Sequence, residues 1–583
     1  MVVRIRPWSE MAALLERMDG KGYPAYREVT GGWSLPIAPG VQAELWIDRV
    51  QPDPFAPPSR LRLRLTAGAV GLPEWAVRSP LRRMAAADFF GRAFDRALRR
   101  AGRVAGGTGN SGVLEIDVGG AEILDRTAAR VTADGLELRF GAGLPAEGRR
   151  VLGRAAARLL GTTLPEAVQS SVLAGVWSAE ALQAHLIAAE DHAYLQEALP
   201  GLGLVAFVAD GAVLPRATGV SQQPLAGAIP WRAPADLAVE VDLPGAGRVR
   251  GTGIPEGITL IVGGGYHGKS TLLRALERGV YPHVPGDGRE RVVTRADAWK
   301  LRAEDGRSVS AVDISGFIGR LPGGTDTRRF STEAASGSTS MASNLVEALE
   351  AGSRLLLIDE DTAASNFLTR DARMQALVPR AIEPITPLID RIRSLHRDLG
   401  VSTVMVVGGA GDYLDVADQV ILMESYQPRV VTAEARVVAA RMPTGRQSEA
   451  PDPLRPPAPR RADPGSLTPD RDGRRAKLAA AGTAELTLGR HRINLGGLEQ
   501  LVDASQVRAI GAALLWCLQA GHLARLGLRE ALAAALAQAD QEGLEAWVGG
   551  EPVGNLARPR LLEMAAALNR IRGLRAAQIR SPE

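Results

Sequence analysis

Residues 263–271, with the sequence GGGYHGKST, constrain this chain more than any other feature of its 583 residues. The segment fits the Walker A pattern, in which glycines flank four residues ahead of Lys and then Ser or Thr, without a mismatch. The apolar run Ile258–Val262 before it predicts a buried strand, and residues 272–278 after it have helical spacing. A strand, a glycine loop and a helix in this order predict a phosphate-binding loop in an α/β fold.

Each part of this loop has a chemical task. Backbone N–H groups of a glycine loop and the N-terminus of the following helix surround phosphate oxygens. Lys269 brings a positive charge to the β- and γ-phosphates, and Ser270 offers a hydroxyl to Mg²⁺. ATP and Mg²⁺ are therefore the predicted ligands. The predicted nucleotide-binding residues of the loop are Gly263, Gly264, Gly265, Tyr266, His267, Gly268, Lys269, Ser270 and Thr271.

A second pattern, Leu355–Asp359 followed by Glu360, is an apolar run that ends in two carboxylates. It is typical of a Walker B strand, where Asp359 holds Mg²⁺ directly or through water. Glu360 would then act as the general base on the attacking water. The alternative is a core strand that ends in two solvated acids, and the phosphate loop upstream favours the catalytic interpretation. Lys269 and Glu360 are the predicted catalytic residues.

A Ser/Gly turn at Ser336, Gly337 and Ser338 precedes residues 341–351, which have helical spacing. Alone, such a turn is an ordinary helix N-cap. Its place before the Walker B strand is similar to that of the signature in ATP-binding-cassette proteins, whose serine and amides contact ATP held by another subunit. On that plan these three residues bind nucleotide. One loop and one signature per chain then imply a head-to-tail homodimer.

Further segments carry a closer resemblance. They are residues 280–290 (VYPHVPGDGRE), 313–318 (DISGFI), 358–367 (IDEDTAASNF) and 408–413 (GGAGDY), with 51–60 (QPDPFAPPSR) and 493–502 (INLGGLEQLV) towards the ends. This succession resembles a family of predicted soluble ATPases of the ABC class, which includes a trypanosome mitochondrial RNA-editing accessory ATPase. The resemblance covers most of the chain. It implies an ATPase core flanked by family-specific domains, and a dimer.

Composition and periodicity divide the chain into four parts. Residues 1–165 predict an α+β N-terminal domain, and residues 166–440 alternate strands and helices as an ABC-class P-loop ATPase domain. Residues 441–476 are rich in Pro and Arg and predict a linker that buries no core. Residues 477–583 predict a mainly helical C-terminal domain. The predicted fold class is α/β, a P-loop ABC-type ATPase core between these two domains.

Two residues usual in cassette ATPases are absent from this chain. No Gln lies between Thr271 and Ser336, and residues 408–412, after the third apolar strand, contain no His. Asp313 is the predicted replacement ligand for Mg²⁺, beside Ser270 and Asp359, with Ser315 as an alternative. Without the Gln and His, hydrolysis is expected to be slow.

Two further roles can be considered for residues around the site. The amides of residues 408–409 or the carboxylate of Asp412 are candidates to sense the γ-phosphate. Trp231 is a candidate to stack on adenine, and a role in the core is equally open.

The charge balance limits the partners. The chain has 69 Lys and Arg against 65 Asp and Glu, so nucleic acid would need a local basic patch. The leading hypothesis couples ATP hydrolysis to nucleic acid, RNA rather than DNA because of the family resemblance. The alternative is an ATP-gated protein-interaction scaffold. The N-terminal arginine clusters are Arg78, Arg82 and Arg83; Arg92, Arg96, Arg99, Arg100 and Arg103; and Arg149, Arg150, Arg154 and Arg158.

Several classes of protein are excluded or disfavoured. The single cysteine, Cys517, excludes an intramolecular disulfide framework and a Cys-rich metal site. No run of about 20 apolar residues is present, so no membrane span is expected. The N-terminus lacks the apolar region of a secretory signal, and a cytoplasmic location is expected.

Overall fold

The structure is a computed structural model that describes residues 5–103, 106–219, 221–321, 323–450, 453–467 and 477–579. The chain divides into two compact units. The first unit contains residues 1–190 and 544–558, and the second contains residues 191–543 and 559–583. None of the helices in the described ranges combines the length and apolar character needed to cross a bilayer.

The first unit is built on a seven-stranded sheet with the order β1-β2-β3-β4-β7-β5, and β6 also pairs with β7. The strands of this sheet are β1 (Arg6–Pro7), β2 (Gly31–Ala38), β3 (Val41–Arg49), β4 (Ser59–Thr66), β5 (Leu114–Ile116), β6 (Ala129–Thr132) and β7 (Gly135–Ala142). Strands β8 (Ala146–Glu147) and β9 (Arg150–Val151) pair in a separate two-stranded sheet. The helices of the unit are α1 (Trp8–Arg17), α2 (Ala67–Val70), α3 (Glu74–Val77), α4 (Pro80–Ala101), α5 (Gly153–Arg158), α6 (Leu164–Gln169) and α7 (Ala179–Ala198), which contains the division.

Apolar and polar side chains alternate along the strands of this sheet, which explains why one of its faces is buried. In β4, Leu61, Leu63 and Leu65 are buried, while the arginines between them lie on the more open face. A strand with period-two alternation covers a core with one face only. Helix α4 contributes Phe90 and Phe94 to the buried core of the unit.

The second unit contains a six-stranded sheet with the order β15-β18-β19-β13-β20-β21 and a four-stranded sheet with the order β11-β12-β10-β14. The strands of the unit are β10 (Leu204–Ala209), β11 (Ala238–Leu243), β12 (Gly247–Pro255), β13 (Ile258–Val262), β14 (Val292–Thr294), β15 (Ala298–Leu301), β16 (Val309–Val312), β17 (Phe330–Thr332), β18 (Leu355–Asp359), β19 (Ser402–Val406), β20 (Gln419–Glu424), β21 (Gln427–Val430), β22 (Arg460–Ala462), β23 (Leu478–Ala481), β24 (Glu485–Leu488), β25 (His491–Asn494) and β26 (Ala576–Gln578).

The helices of the second unit begin with the one that follows the phosphate loop. They are α8 (Lys269–Arg278), α9 (Gly337–Glu350), α10 (Ser365–Leu368), α11 (Ala372–Leu377), α12 (Leu388–Leu399), α13 (Thr432–Arg441), α14 (Ala504–Gln519), α15 (His522–Arg525), α16 (Leu528–Glu542) and α17 (Leu561–Asn569). The three strands β23, β24 and β25 form a separate small sheet against α14.

The register of the six-stranded sheet brings the two main motifs to one edge. The apolar runs predicted as parallel strands are β13, β18 and β19, and their pairing is parallel. Ile261 of β13 pairs with Val406 of β19, and Val406 pairs with Asp359 of β18. Because β19 lies between β13 and β18, the residues that follow all three strands meet at the carboxyl edge of the sheet, where α/β folds bind ligands.

Part of the segment predicted as a linker is packed in the structure. Strand β22 pairs antiparallel with β26, and Arg460 is only 1% exposed. Its guanidinium donates to the Glu350 carboxylate at 2.6 and 2.8 Å. Leu454, Ala462 and Leu467 are buried as well, so the prediction that this segment buries no core is wrong for the part that the structure describes. Residues 468–476 of that segment lie outside the described residues.

Candidate functional site

The phosphate loop is shaped by residues with positive φ. Gly263 has φ 142°, and a Cβ atom there would lie 2.4 Å from the Met423 carbonyl oxygen. Tyr266, at the tip of the loop, is fully exposed and has φ 63°, a conformation that non-glycine residues seldom adopt. Strained backbone of this kind clusters at ligand-binding segments.

Lys269 is the first residue of α8 and reaches back across the loop. Its Nζ atom donates to the carbonyl oxygens of Gly263 at 2.7 Å and Gly264 at 2.8 Å. Ser270 follows in the first turn and is half-buried. Leu272 and Leu276 on the opposite face are buried and fix the helix to the sheet. The lysine is therefore held at the mouth of the loop, at the N-terminus of a helix, where an anion binds well.

The turn between β20 and β21 supports the loop from one side. The Ser425 amide donates to Nδ1 of His267 at 2.9 Å, and the Tyr426 amide donates to the His267 carbonyl oxygen at 3.0 Å. The Tyr426 ring covers Gly268, since a Cβ atom on that glycine would lie 2.7 Å from Tyr426 Cδ1. His267 is thus a hydrogen-bonding residue of the loop.

Tyr426 is a residue that the sequence reasoning missed. It is 37% exposed and presents an aromatic ring beside the phosphate loop. Ser425 and Tyr426 have φ 49° and 65° in a two-residue hairpin turn, where Asn-Gly is the usual choice. Backbone strain of this kind is found at ligand-binding segments.

The acidic pair lies at the carboxyl end of β18. Asp359 is 9% exposed, and its Oδ1 accepts from the Asp361 amide at 3.2 Å. The Oε2 atom of Glu360 accepts from the amides of Gly408 at 2.6 Å and Gly409 at 2.9 Å. These glycines follow β19, the strand between β13 and β18. Two backbone donors therefore fix the Glu360 carboxylate at the edge that also carries the phosphate loop.

The residues considered for sensing the γ-phosphate have other partners in the structure. The amides of Gly408 and Gly409 hold Glu360, and Asp412 Oδ2 accepts from Thr369 Oγ1 at 3.3 Å. A Cβ atom on Gly409 would lie 3.3 Å from Glu360 Oε1, which explains why the chain has no side chain here. The position where a cassette ATPase has its His is used in this chain to orient the acid.

The signature turn caps α9. The Ser336 hydroxyl lies 3.5 Å from the Thr339 amide and 3.0 Å from the Thr339 hydroxyl. A Cβ atom on Gly337 would be nearest to Asp305, at 3.2 Å, and to Ala364, at 3.6 Å. Ser338 follows in the first turn of the helix. The structure assigns the capping role to Ser336, and its contact with nucleotide stays a prediction.

Two other candidates have local roles. Asp313 Oδ1 accepts from the Ser315 amide at 3.0 Å and from the Ser315 hydroxyl at 2.6 Å, so the two residues form a closed turn. Trp231 is 2% exposed, and its Nε1 donates to Thr252 Oγ1 at 2.9 Å. Of the two roles left open for Trp231, the structure supports the one in the core, because the ring is buried and its polar atom is bonded.

The donors at the sheet edge suit a magnesium ion that is shared with a phosphate. Among the described residues, no group of three or more His, Cys, Asp and Glu side chains is placed to hold a metal by itself. The Ser270 hydroxyl and the Asp359 carboxylate are hard oxygen donors. Mg²⁺ prefers such ligands, keeps several waters and commonly uses one or two protein groups plus phosphate oxygens. The residues present therefore fit this ion.

The arginine clusters of the first unit differ in availability. Arg92 is bonded to Asp88 and to the Glu122 carbonyl oxygen, and Arg103 donates to the Ser111 carbonyl oxygen at 2.8 Å. The cluster of arginines predicted to form a basic face on and just after α4 is therefore partly engaged in hydrogen bonds within the chain. The arginines near β9 and α5 are all exposed: Arg149, Arg150, Arg154 and Arg158. The group near α5 is therefore the more accessible basic patch.

A glycine loop with Lys on the following helix, beside a strand that ends in two acids, defines a P-loop nucleotide-binding protein. Three family models match the chain in succession. The N-terminal domain of ATPases of the ABC class matches residues 9–175, the ABC-class ATPase P-loop domain matches residues 178–460, and the MRB1590 C-terminal domain matches residues 477–577. The chain belongs to the ABC-class ATPase family, and the resemblance is confirmed.

One relative and two solved structures are similar to parts of this chain. The uncharacterized protein MJ1628 of Methanocaldococcus jannaschii is 32% identical over 246 residues, which are 40% of this chain and 54% of that protein. The chain thus spans about half the length of this relative. The ATP-binding cassette MJ1267, solved in its ADP conformation, matches 33% of this chain and 89% of its own, at 13% identity and a TM-score of 0.23.

A second solved cassette is similar to the same degree. CbiO1 from Clostridium perfringens, part of an ABC transporter complex, matches 41% of this chain and 96% of its own, at 15% identity and a TM-score of 0.25.

Proposed function

We propose that this chain binds and hydrolyses ATP at the interface of a head-to-tail homodimer. Lys269 and the loop amides of one copy would hold the phosphates, and Ser336, Gly337 and Ser338 of the other copy would cap them. The observation that carries hydrolysis is the placement of Glu360. Its carboxylate is fixed by two backbone amides at the sheet edge beside the phosphate loop.

Each residue at that edge has a defined task in this proposal. Ser270 and Asp359 would hold Mg²⁺, which neutralises charge on the β- and γ-phosphate oxygens. Glu360 takes the proton of the attacking water. Both glycine amides donate to Oε2, so in this proposal Oε1 accepts the proton. Preorganised donors of this kind need no rearrangement as the reaction proceeds.

The arrangement of motifs supports a site shared by two chains. The chain has one phosphate loop and one signature turn, and the nearest side chains to Gly337 are those of Asp305 and Ala364, outside the phosphate loop. A twofold axis brings the loop of each copy to the turn of the other and makes two equal sites. Asp313, whose carboxylate is engaged with Ser315, remains the weakest of the proposed metal ligands.

The dimer is tested with the variant Glu360→Gln, which removes the base and keeps the shape of the side chain. We expect light scattering to give the monomer mass without nucleotide and twice that mass with saturating ATP and Mg²⁺. Asp361→Asn is the matched control, since it changes a neighbouring exposed acid and should behave as the parent. A Glu360→Gln protein that stays monomeric with saturating ATP would contradict the shared site.

The nucleotide base would contact Tyr426. This aromatic ring packs on Gly268 of the phosphate loop and is partly exposed, whereas Trp231 is enclosed in the core. An aromatic face that stacks on a base contributes about 1–3 kcal/mol. Tyr426 therefore takes the role that the sequence suggested for Trp231.

We further propose that the ATPase cycle is coupled to RNA. This proposal rests on the family resemblance and on the exposed arginines of the patch near α5. Among the described residues, Arg149, Arg154 and Arg158 form no ion pair, so their guanidinium groups are available to phosphates. Contacts of this kind weaken steeply with salt.

Gel-shift titration with single- and double-stranded RNA at low and near-physiological salt tests the RNA proposal. The double variant Arg154→Ala, Arg158→Ala should weaken binding and reduce the salt dependence. Arg99→Ala is a control on an arginine that is already paired with Asp95 at 2.7 Å. Absence of a shift near physiological salt would remove RNA from the account and favour a protein partner.

A further inference from the structure

Helix α9, which the signature turn caps, carries a line of polar residues on one face. Ser340, Asn344, Glu347 and Glu350 follow one another at intervals of four, three and three residues, so they lie on one side of the helix. Ser340, Asn344 and Glu347 are at most 5% exposed. Buried carboxylates and amides are costly unless they are paired. This face must therefore be matched by partners elsewhere in the chain.

The partners come from two places. Arg307 donates to the Glu347 carboxylate at 2.7 and 2.8 Å and also bonds to Asn344. The C-terminal end of α17 supplies Arg570, which lies 3.3 Å from Asn344 Oδ1 and bonds to both carboxylate oxygens of Glu304. The Glu304 amide in turn donates to the Ser340 hydroxyl at 2.8 Å. One buried network thus joins α9 to residues more than 200 positions later in the chain.

Arg572 reaches the signature turn itself. It is exposed, and its guanidinium donates to the carbonyl oxygens of Glu333 at 2.7 Å and Gly306 at 2.8 Å. These carbonyls belong to two backbone segments that are joined beside Ser336. The Gly306 amide donates to the Ala335 carbonyl oxygen at 2.7 Å, and the Ala335 amide donates to the Arg307 carbonyl oxygen at 2.9 Å.

We propose that Arg570 and Arg572 are positioning residues for the signature turn. The C-terminal domain fixes the position and orientation of α9. It thereby determines where Ser336 of one copy meets the nucleotide held by the other. This inference rests on the proposed function. A capping group must be held to within about 0.5 Å by the groups around it, which explains why so many bonds converge on this turn.

Arg572→Ala is the variant of choice, because Arg570 pairs with a buried acid and its loss can unfold the domain. The variant is made in the Glu360→Gln background, so that the ATP-bound state accumulates. We expect the affinity of the chain for a fluorescent ADP to change by less than about twofold. Self-association with ATP and Mg²⁺, measured by sedimentation, should weaken by about tenfold.

Two further variants separate positioning from general damage. Arg575→Ala removes a neighbouring exposed arginine that pairs with Asp463 at 2.7 Å, away from the turn, and should associate as the parent does. Arg572→Lys keeps the charge but replaces the two guanidinium nitrogens by one ammonium group, and it should restore part of the ATP-dependent association.

Each outcome decides a separate claim. An Arg572→Ala protein that associates as tightly as its parent would overturn the inference, and so would a parallel loss of ADP binding. Failure of the Glu360→Gln parent to associate with ATP would overturn the proposed function, and this inference with it.

Discussion

The phosphate loop and the signature turn are both small-residue segments at a helix N-terminus, but they are held in different ways. The loop is supported close by, through the Lys269 bonds to its own carbonyl oxygens and through the hairpin turn at Ser425 and Tyr426. The backbone beside the turn accepts hydrogen bonds from Arg572, which lies 239 residues after Glu333 and 266 residues after Gly306. We therefore expect nucleotide binding to depend on the P-loop domain and capping to depend on the C-terminal domain.

This difference has a thermodynamic meaning. Changes at the loop should alter how one copy binds nucleotide, whether or not a second copy is present. Changes at the turn or its arginines should leave that binding intact and alter the association of two copies. Interactions that stabilise only the assembled state appear as a coupling between ATP and dimerisation. The two regions can therefore be separated by measuring nucleotide affinity and dimer formation on the same variants.

The largest effect is expected for Lys269→Ala, on the loop side. Removal of the only charged group of the loop should weaken ATP binding and hydrolysis by about 100-fold or more, since charge-assisted contacts to phosphate are lost. Calorimetric titration with ATP and Mg²⁺ measures the affinity, and a thermal melt verifies the fold. An affinity within about threefold of the parent would place the nucleotide elsewhere.

On the turn side, Ser336→Ala should lower ATP hydrolysis by about tenfold while ADP binding to single copies stays unchanged. The variant also removes a helix cap, which costs about 1 kcal/mol of stability. Ser79→Ala, which removes the cap of α4, is the control for that cost and should keep full activity. Equal losses of ADP binding and hydrolysis in Ser336→Ala would show that the two regions are not separable.

A smaller effect is expected for Tyr426→Ala. Loss of the ring should weaken binding of ATP by about 1 kcal/mol, or roughly fivefold, because the base loses a stacking surface. Tyr426→Phe keeps the ring and should bind as the parent does. If inorganic triphosphate, which has no base, loses as much affinity as ATP, the ring supports the loop and does not contact the base.

The last prediction concerns stability, not nucleotide binding, and tests the pH dependence of the helix that follows the loop. Burial, with the nearby Glu499 carboxylate, raises the pKa of Glu277 to about 7. The folded chain then holds a proton that the unfolded chain releases near its ordinary pKa, so stability falls as pH rises from about 4.5 to 7. Glu277→Gln should therefore add about 1–3 kcal/mol at pH 8 and little at pH 4.5.

Urea unfolding of Glu277→Gln at the two pH values measures this difference. Glu434→Gln, an exposed acid paired with Arg429, is the control and should change stability little at either pH. An equal gain for Glu277→Gln at both pH values would mean that the carboxyl group does not titrate in this range.

The parts of the site that could be predicted from the sequence are those formed by residues that follow one another in the chain. Two parts of the site combine periodicity with a motif: the strand, loop and helix around Lys269, and the strand that ends at Asp359. The two strands and the helix form as predicted. The parallel order of β13, β18 and β19 follows from apolar runs joined by helices. The Ser336 cap is also local, because it depends on residues three positions apart.

The parts that could not be predicted depend on distant pairing. Nothing in the sequence indicates that the Gly408 and Gly409 amides meet Glu360, since the pairing is made by adjacent strands. The arginines at 570 and 572 look like any charged helix end until α17 is placed beside α9. Trp231 is buried by tertiary packing that composition does not reveal.

The central claim is that each nucleotide is held by Lys269 of one copy and capped by Ser336 of the other. It is tested most directly by mixing two inactive variants, Lys269→Ala and Ser336→Arg. In a mixed dimer one site combines the intact Lys269 of one chain with the intact Ser336 of the other. The account predicts that ATP hydrolysis returns on mixing and rises with the mixed-dimer fraction, whereas a mixture as inactive as its components would contradict it.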